Sequence, residues 1–137
     1  MSDIEQNKAL YRRFIQEIFN EGRLERVGEF TAPNYRVRDL PPGTPDGVET
    51  LKQIVSLFRA GFPDLSVTLD EVIGEGDTVA ARATTRGTHK GKIFNVEPSG
   101  NKIAVSGLTM VKIENGKLVE SCVKNDMQAL MAQLNAK

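Results

Sequence analysis

Hydrophobic positions in the first half of the chain follow the period of an α-helix. An amphipathic helix is predicted by three apolar residues spaced four apart, Leu10, Phe14 and Ile18. The S-x-x-E spacing of Ser2–Glu5 predicts the N-terminal cap of this helix. Similar patterns predict a shorter second helix with Leu24, Val27 and Phe30 on one side, ending near Ala32-Pro33, and a third that begins near Asp46 and ends at Gly61.

After the third helix the period of apolar residues falls to two, which predicts β-strands. Alternation begins at Leu65, and further strands are expected over 78–89, 102–113 and 117–125. The Asn115-Gly116 dipeptide lies between the last two runs and predicts a two-residue hairpin turn. A short helix is expected over 127–134, with Asp126 as its N-cap.

These elements predict one α+β domain over residues 1–137. Because no helix separates the long strands, we expect them to pair antiparallel. Three N-terminal helices would pack on a curved antiparallel sheet and enclose a pocket, and a short C-terminal helix would follow. Tyr35 and Val37 could add a short edge strand before the proline-rich loop Pro41–Pro45. This order of elements excludes a Rossmann fold and a TIM barrel.

Composition narrows the choice of partner and compartment. The 18 basic and 18 acidic residues give no net charge, whereas domains that bind nucleic acid usually carry a basic excess. No apolar run reaches the roughly 18 residues that span a bilayer, so no membrane segment is expected. Cys122 is the single cysteine, which excludes an internal disulfide and suits a cytoplasmic protein. With one histidine and no ligand spacing among the acidic residues, we expect no metal site.

The sequence offers few side chains for acid–base chemistry. His89 is the only histidine and can act as a general base near neutral pH, but its place beside a predicted turn also suits a structural role. Cys122, Lys124 and Asp126 share one face of the last predicted strand. If this face lines the pocket, Lys124 and Asp126 form a pair suited to proton transfer. Asp126 also suits a helix cap, and the two roles can coexist.

Several short motifs occur in an order that extends through almost the whole chain. They are Phe19–Gly22, Pro41–Gly43, Phe62–Leu65, Gly87–Gly91, Asn115–Glu120, and Asp126 followed by Gln133-Leu134. Each motif is weakly specific alone. Together, their order and spacing resemble the SnoaL-like polyketide cyclase family of the nuclear transport factor 2-like superfamily.

The resemblance implies a cone-shaped roll around a deep apolar pocket, a homodimer formed through the outer face of the sheet, and a reaction that needs neither metal nor cofactor. The aspartate that serves these cyclases as acid and base corresponds to Asp126. It would remove an acidic proton next to one carbonyl group, and the enolate would attack a second. His89, Arg38 or Lys124 would stabilise the oxyanion. The expected substrate-binding residues are Tyr35, Arg38, Phe58, Arg82, Cys122 and Lys124.

Two departures from the family pattern keep other functions open. Relatives often carry a histidine where this chain has Arg38-Asp39, and His-Trp where it has Ser121-Cys122. The leading hypothesis is therefore a cofactor-independent enzyme that acts on a small apolar carbonyl compound. An epoxide or ester hydrolase would use the same pocket, with Asp126 held by Arg82 or Asn125. In a non-catalytic binding or dimerisation module, Asp126 would only cap the helix.

Overall fold

The computed structural model describes residues 3–137, so Ser2 and the predicted N-terminal cap lie outside the described residues. Within this range the α-helices are α1 (Asp3–Phe14), α2 (Val48–Gly61) and α3 (Met127–Leu134). The strands are β1 (Thr31–Val37), β2 (Ser66–Glu75), β3 (Thr78–Thr88), β4 (Lys102–Glu114) and β5 (Lys117–Asn125). They form one curved sheet in the order β1-β5-β4-β3-β2, and the predicted α+β fold class is confirmed.

The meander β2–β5 follows from the alternation in the sequence. Along β4, exposed and buried residues alternate without interruption from Lys102 to Glu114, so one face of the strand packs against the core. β2, β3, β4 and β5 pair antiparallel in succession. Asn115 and Gly116 join the last two strands with φ angles of 52° and 74°, as a tight hairpin turn of type I′ requires.

β1 corrects the expectation of a purely antiparallel sheet. This strand is longer than the predicted Tyr35–Val37 segment and pairs parallel with β5, so the sheet is mixed. It lies at an edge of the sheet, where Pro33 is tolerated because one side of the strand needs no hydrogen-bond donor. The second predicted helix is correspondingly shorter, a 3₁₀ helix over Leu24–Glu29 that ends before β1.

The first predicted helix also differs in its last turns, which form a π-helix over Ile15–Asn20. The Asn20 amide donates to the Val67 carbonyl at 3.0 Å and accepts from the Val67 amide at 2.7 Å, so it covers part of the free edge of β2. Arg59 of α2 donates to the carbonyl oxygens of Phe19 and Asn20. These bonds fix α2 against the π-helix, a type of segment often found at functional sites.

The helices pack on the buried face of the sheet and form two apolar clusters. The larger cluster joins α1, the π-helix and α2 to the sheet, and contains Phe14, Ile18 and Val55. The smaller cluster lies under α3 and contains Phe62 and Leu130. Among residues 3–137, none of the helices has both the length and the hydrophobicity needed to cross a bilayer.

Candidate functional site

A cavity of about 420 Å³ lies between the helices and the buried face of the sheet. Its size falls within the range of about 300–1,000 Å³ that is typical of small-molecule sites. Most of its wall is apolar and comes from the helical layer: Phe14, Ile15, Phe19, Leu51, Ile54 and Phe58. On the sheet, the small side chains of Ala83 and Thr85 leave part of this space free, while Gly87 farther along β3 lets Phe62 pack closely.

Two tyrosine side chains reach the cavity wall, and both are almost completely buried. The Tyr11 hydroxyl donates to the Thr109 hydroxyl at 3.0 Å. The Tyr35 hydroxyl has no hydrogen-bond partner of good geometry. Burial raises the pKa of each tyrosine to about 12. A smaller effect lowers the pKa: the hydrogen bond to the Thr109 hydroxyl at Tyr11, and the nearby Ser121 hydroxyl at Tyr35, whose contact does not have good hydrogen-bond geometry. Both phenols are therefore protonated at neutral pH.

Charged side chains lie at one part of the cavity rim, directly after β1. Arg38, Asp39 and Lys124 all line the cavity. Arg38 donates to the Glu120 carboxylate at 2.6 Å, and Lys124 lies 3.4 Å from the Asp39 carboxylate. Each cation at this rim thus has an acidic partner, so the rim has little net charge.

Asp39 is the one carboxylate among the described residues that line the cavity. Its φ angle of 61° is in the left-handed region, which aspartate tolerates better than most residues. The Cys122 thiol donates to Asp39 Oδ2 at 3.2 Å. This hydrogen bond, followed by the interaction with Lys124, holds the pKa of Asp39 below its usual value. Asp39 is therefore ionised at neutral pH.

The other part of the rim is apolar. Four cavity-lining side chains are between 36% and 43% exposed: Leu57, Phe94, Val123 and Met127. The Phe94 ring packs edge-on against Phe58, with 5.9 Å between ring centroids. An apolar ligand would therefore meet apolar side chains as it enters.

Comparison with known proteins gives the family. The sequence profile of the SnoaL-like polyketide cyclases matches residues 9–134, which is almost the whole chain. The chain belongs to the SnoaL-like polyketide cyclase family. No protein with a curated description matches it significantly.

Several solved structures share the fold over nearly their full length. TsrD from Streptomyces laurentii is 28% identical, with a TM-score of 0.87 and all of both chains covered. IdmH from Streptomyces antibioticus, described as a candidate polyketide cyclase, is 31% identical, with a TM-score of 0.83. The match covers 96% of this chain and 99% of the IdmH chain. A candidate SnoaL-like polyketide cyclase from Jannaschia sp. CCS1 is 26% identical, with a TM-score of 0.87, 100% of this chain and 97% of its own chain covered.

Four of the eight predicted site residues line the cavity of this SnoaL-like chain: Tyr35, Arg38, Phe58 and Lys124. Cys122 does not line it, because the face of β5 that points inward carries Ser121, Val123 and Asn125. Instead, Cys122 reaches the site indirectly, through its hydrogen bond to Asp39.

The expectation that Asp126 lies near the pocket is corrected by its position. Its side chain is exposed, and its Oδ1 accepts the Ala129 amide at 3.0 Å, which caps α3. With Arg82 and Leu108 it borders a shallow depression on the convex face of the sheet. In this position Asp126 serves as the helix cap.

His89 and Arg82 also lie away from the cavity lining. His89 is completely buried, packs beside Phe62 and has its Nδ1 2.9 Å from the Ser99 hydroxyl. Arg82 is on the convex face, within 3.6 Å of Asp70 and 3.8 Å of Glu71. In this fold, the contacts of His89 are those of a buried structural side chain, and the contacts of Arg82 are those of a surface ion pair.

The sequence interpretation did not assign a function to Tyr11 or Asp39. The helical period places Tyr11 on the buried face, but does not show that its hydroxyl reaches a cavity. Nothing in the sequence around Asp39 indicates its left-handed backbone or its contact with Cys122. In residues 3–137, no three His, Cys, Asp or Glu side chains are grouped so that they could hold a metal ion.

Proposed function

We propose that this SnoaL-like protein is a cofactor-independent enzyme that binds a small apolar carbonyl compound in the cavity and transforms it by acid–base chemistry. The observation that carries this proposal is an apolar cavity of about 420 Å³ with one ionised carboxylate, Asp39, in its described lining. Asp39 lies at the rim with its side chain 56% exposed, whereas the phenols of Tyr11 and Tyr35 are titratable groups deep in the wall.

Asp39 is the general base in this proposal. Its carboxylate would take a proton from a carbon next to a carbonyl group, and the resulting enolate carbon would form a bond to a second carbonyl carbon of the same molecule. The alkoxide produced would then take the proton back from Asp39, so the carboxylate is regenerated. The apolar wall would bind the rest of the substrate, while the reacting carbon would meet Asp39 at the rim.

The lowered pKa of Asp39 narrows the substrate class. A carboxylate with a lowered pKa is ionised at neutral pH but is a weak base. It therefore acts best on C–H groups that two adjacent carbonyl groups acidify. This favours a β-dicarbonyl compound over a simple ketone.

Deuterium exchange at the acidic carbon of an aryl β-ketoester tests this chemistry, followed by NMR at a slightly acidic pH where uncatalysed exchange is slow. General bases typically contribute about 10²–10⁴-fold, so Asp39→Asn should remove most of the acceleration given by the wild-type protein. Asp126→Asn is the matched variant, because it makes the same change at the carboxylate that caps α3. It should retain the wild-type rate.

The other outcomes distinguish the rival functions. Loss of exchange in Asp126→Asn alone would support the sequence-based hypothesis for Asp126 and remove Asp39. Release of the ester alcohol would indicate the hydrolase. Binding of the ketoester, detected by native mass spectrometry, without any acceleration would indicate a non-catalytic binding module.

We also propose a homodimer formed through the convex face of the sheet. An outward row of paired residues crosses four strands there: Ile73, Ala80, Met110 and Cys122. Ile73 is 61% exposed and Met110 56% exposed, and Leu108 beside them is 63% exposed. Exposed apolar residues that cluster on a sheet face favour association. A cytoplasmic location remains a prediction, for which the free thiol of Cys122 is suitable.

A further inference from the structure

The Tyr35 hydroxyl differs from the Tyr11 hydroxyl in the cavity wall because it has no hydrogen bond of good geometry, although the Ser121 hydroxyl is close enough to lower its pKa. Tyr35 lies on β1 beside β5, and its side chain is 3% exposed. Its oxygen has almost no accessible surface and makes no hydrogen bond of good geometry with any described residue. Most buried hydroxyl groups in folded proteins are hydrogen-bonded, so this one calls for an explanation.

Tyr11 provides the comparison within the same cavity. It is buried to the same degree as Tyr35, but its hydroxyl is engaged by Thr109 at 3.0 Å. Thr109 belongs to β4, and Tyr11 to α1, so this bond contributes to packing between helix and sheet. The Tyr35 phenol has beside it only the Ser121 hydroxyl, without a hydrogen bond of good geometry, so a ligand that reaches it could accept its proton in a hydrogen bond.

The surroundings indicate which kind of acceptor fits. The cations that line the cavity, Arg38 and Lys124, lie at the rim and are already paired with Glu120 and Asp39. An anionic ligand group beside Tyr35 would therefore be buried without a neutralising charge, which is strongly unfavourable. A neutral carbonyl oxygen accepts a hydrogen bond without this penalty.

We propose that Tyr35 is the residue that selects carbonyl compounds, by donating a hydrogen bond from its phenol to the ligand's carbonyl oxygen. This inference rests on the proposed binding of a small carbonyl compound in the cavity. During enolate formation the same hydrogen bond would strengthen as negative charge develops on that oxygen. Tyr35 would thereby contribute to both selectivity and rate.

A pair of ligands with nearly the same shape isolates this hydrogen bond. 2-Acetylnaphthalene has a carbonyl group where 2-ethylnaphthalene has a methylene group, and their binding to wild type, Tyr35→Phe and Tyr11→Phe can be measured by equilibrium dialysis. Tyr35→Phe should weaken binding of the ketone by about three- to tenfold, the range of one neutral hydrogen bond, and leave the hydrocarbon within about twofold. Because Tyr35→Phe removes a hydroxyl without a partner, its thermal stability should equal or exceed that of wild type.

Each remaining outcome has a separate meaning. If neither compound binds to the wild-type protein, the proposed function fails. If both bind and Tyr35→Phe leaves the ratio of their affinities unchanged, the role of Tyr35 is overturned while the cavity proposal stands. A change of the ratio in Tyr11→Phe alone would also overturn it. Equal weakening of both ligands by Tyr35→Phe, together with lost stability, would show a structural role.

Discussion

Alkaline titration of the two tyrosines measures how completely the cavity wall excludes water. Tyr11 and Tyr35 are the only tyrosines and the chain has no tryptophan, so the near-ultraviolet absorbance of tyrosinate reports on these two side chains. Burial raises the pKa of each from 10.0 to about 12. In the unfolded chain both should titrate near 10.

The difference between the two states converts into stability with a definite sign. A phenol with a higher pKa in the folded state stabilises the fold fully below about pH 10, and this contribution is lost as the pH rises from about 10 to 12. A difference of two units corresponds to about 2.7 kcal/mol for each tyrosine, so the free energy of unfolding should fall by about 5 kcal/mol in total. A domain is usually stable by only about 5–15 kcal/mol. We therefore expect alkaline unfolding in this range.

The assay follows tyrosinate absorbance and far-ultraviolet circular dichroism through the same pH range. Tyr11→Phe and Tyr35→Phe should each remove one ionisation and about half of the pH-dependent loss of stability. At neutral pH the two variants should differ. Tyr11→Phe leaves the Thr109 hydroxyl without its partner and should cost about 1–2 kcal/mol, whereas Tyr35→Phe should cost almost nothing.

Ionisation of both tyrosines near pH 10, while the circular dichroism remains native, would refute this reasoning. Both phenols would then be accessible to water in the folded protein. The cavity wall could therefore not be one that keeps solvent away from these side chains. A loss of stability in Tyr35→Phe as large as that in Tyr11→Phe would refute the narrower statement that the Tyr35 hydroxyl makes no stabilising hydrogen bond.

Two further predictions concern packing and assembly. Gly91→Ala would place a Cβ atom 2.1 Å from the Ala60 carbonyl oxygen, so it should lower the free energy of unfolding by more than about 2 kcal/mol in a denaturation experiment. Gly28→Ala is the control, because a Cβ atom at Gly28 meets open space; it should change the free energy of unfolding by less than about 0.5 kcal/mol. Met110→Lys, in the convex apolar row, should convert the proposed dimer to a monomer, as measured by sedimentation velocity. Glu114→Lys, at the end of β4, is the control and should leave the dimer intact. A monomeric wild-type protein would contradict the proposed dimer.

Elements that depend on local spacing could be predicted from the sequence, and elements that depend on distant contacts could not. The predicted ends of β3, β4 and β5 agree with the observed ends to within one residue, because alternation and the Asn115-Gly116 turn are local signals. The parallel pairing of β1 with β5 joins segments about 85 residues apart, for example Thr31 with Leu118, and no local pattern encodes it. The π-helix was missed because Leu10, Phe14 and Ile18 have the same spacing in a regular α-helix.

The position of Asp126 outside the cavity lining has one structural cause, a β-bulge in β5. Lys112 pairs with Glu120 while Ile113 pairs with Leu118, so Val119 is an extra residue on this strand. Before the bulge the buried residue is the even-numbered Leu118, and after it the buried residue is the odd-numbered Ser121. Alternation extrapolated from Leu118 would assign Cys122 and Asp126 to the concave face, whereas the inserted residue leaves both outside the cavity lining. Lys124 still reaches the cavity at its rim. The same residue turns Ser121, Val123 and Asn125 toward the cavity, and Asp39, which follows β1, is the carboxylate in the described lining.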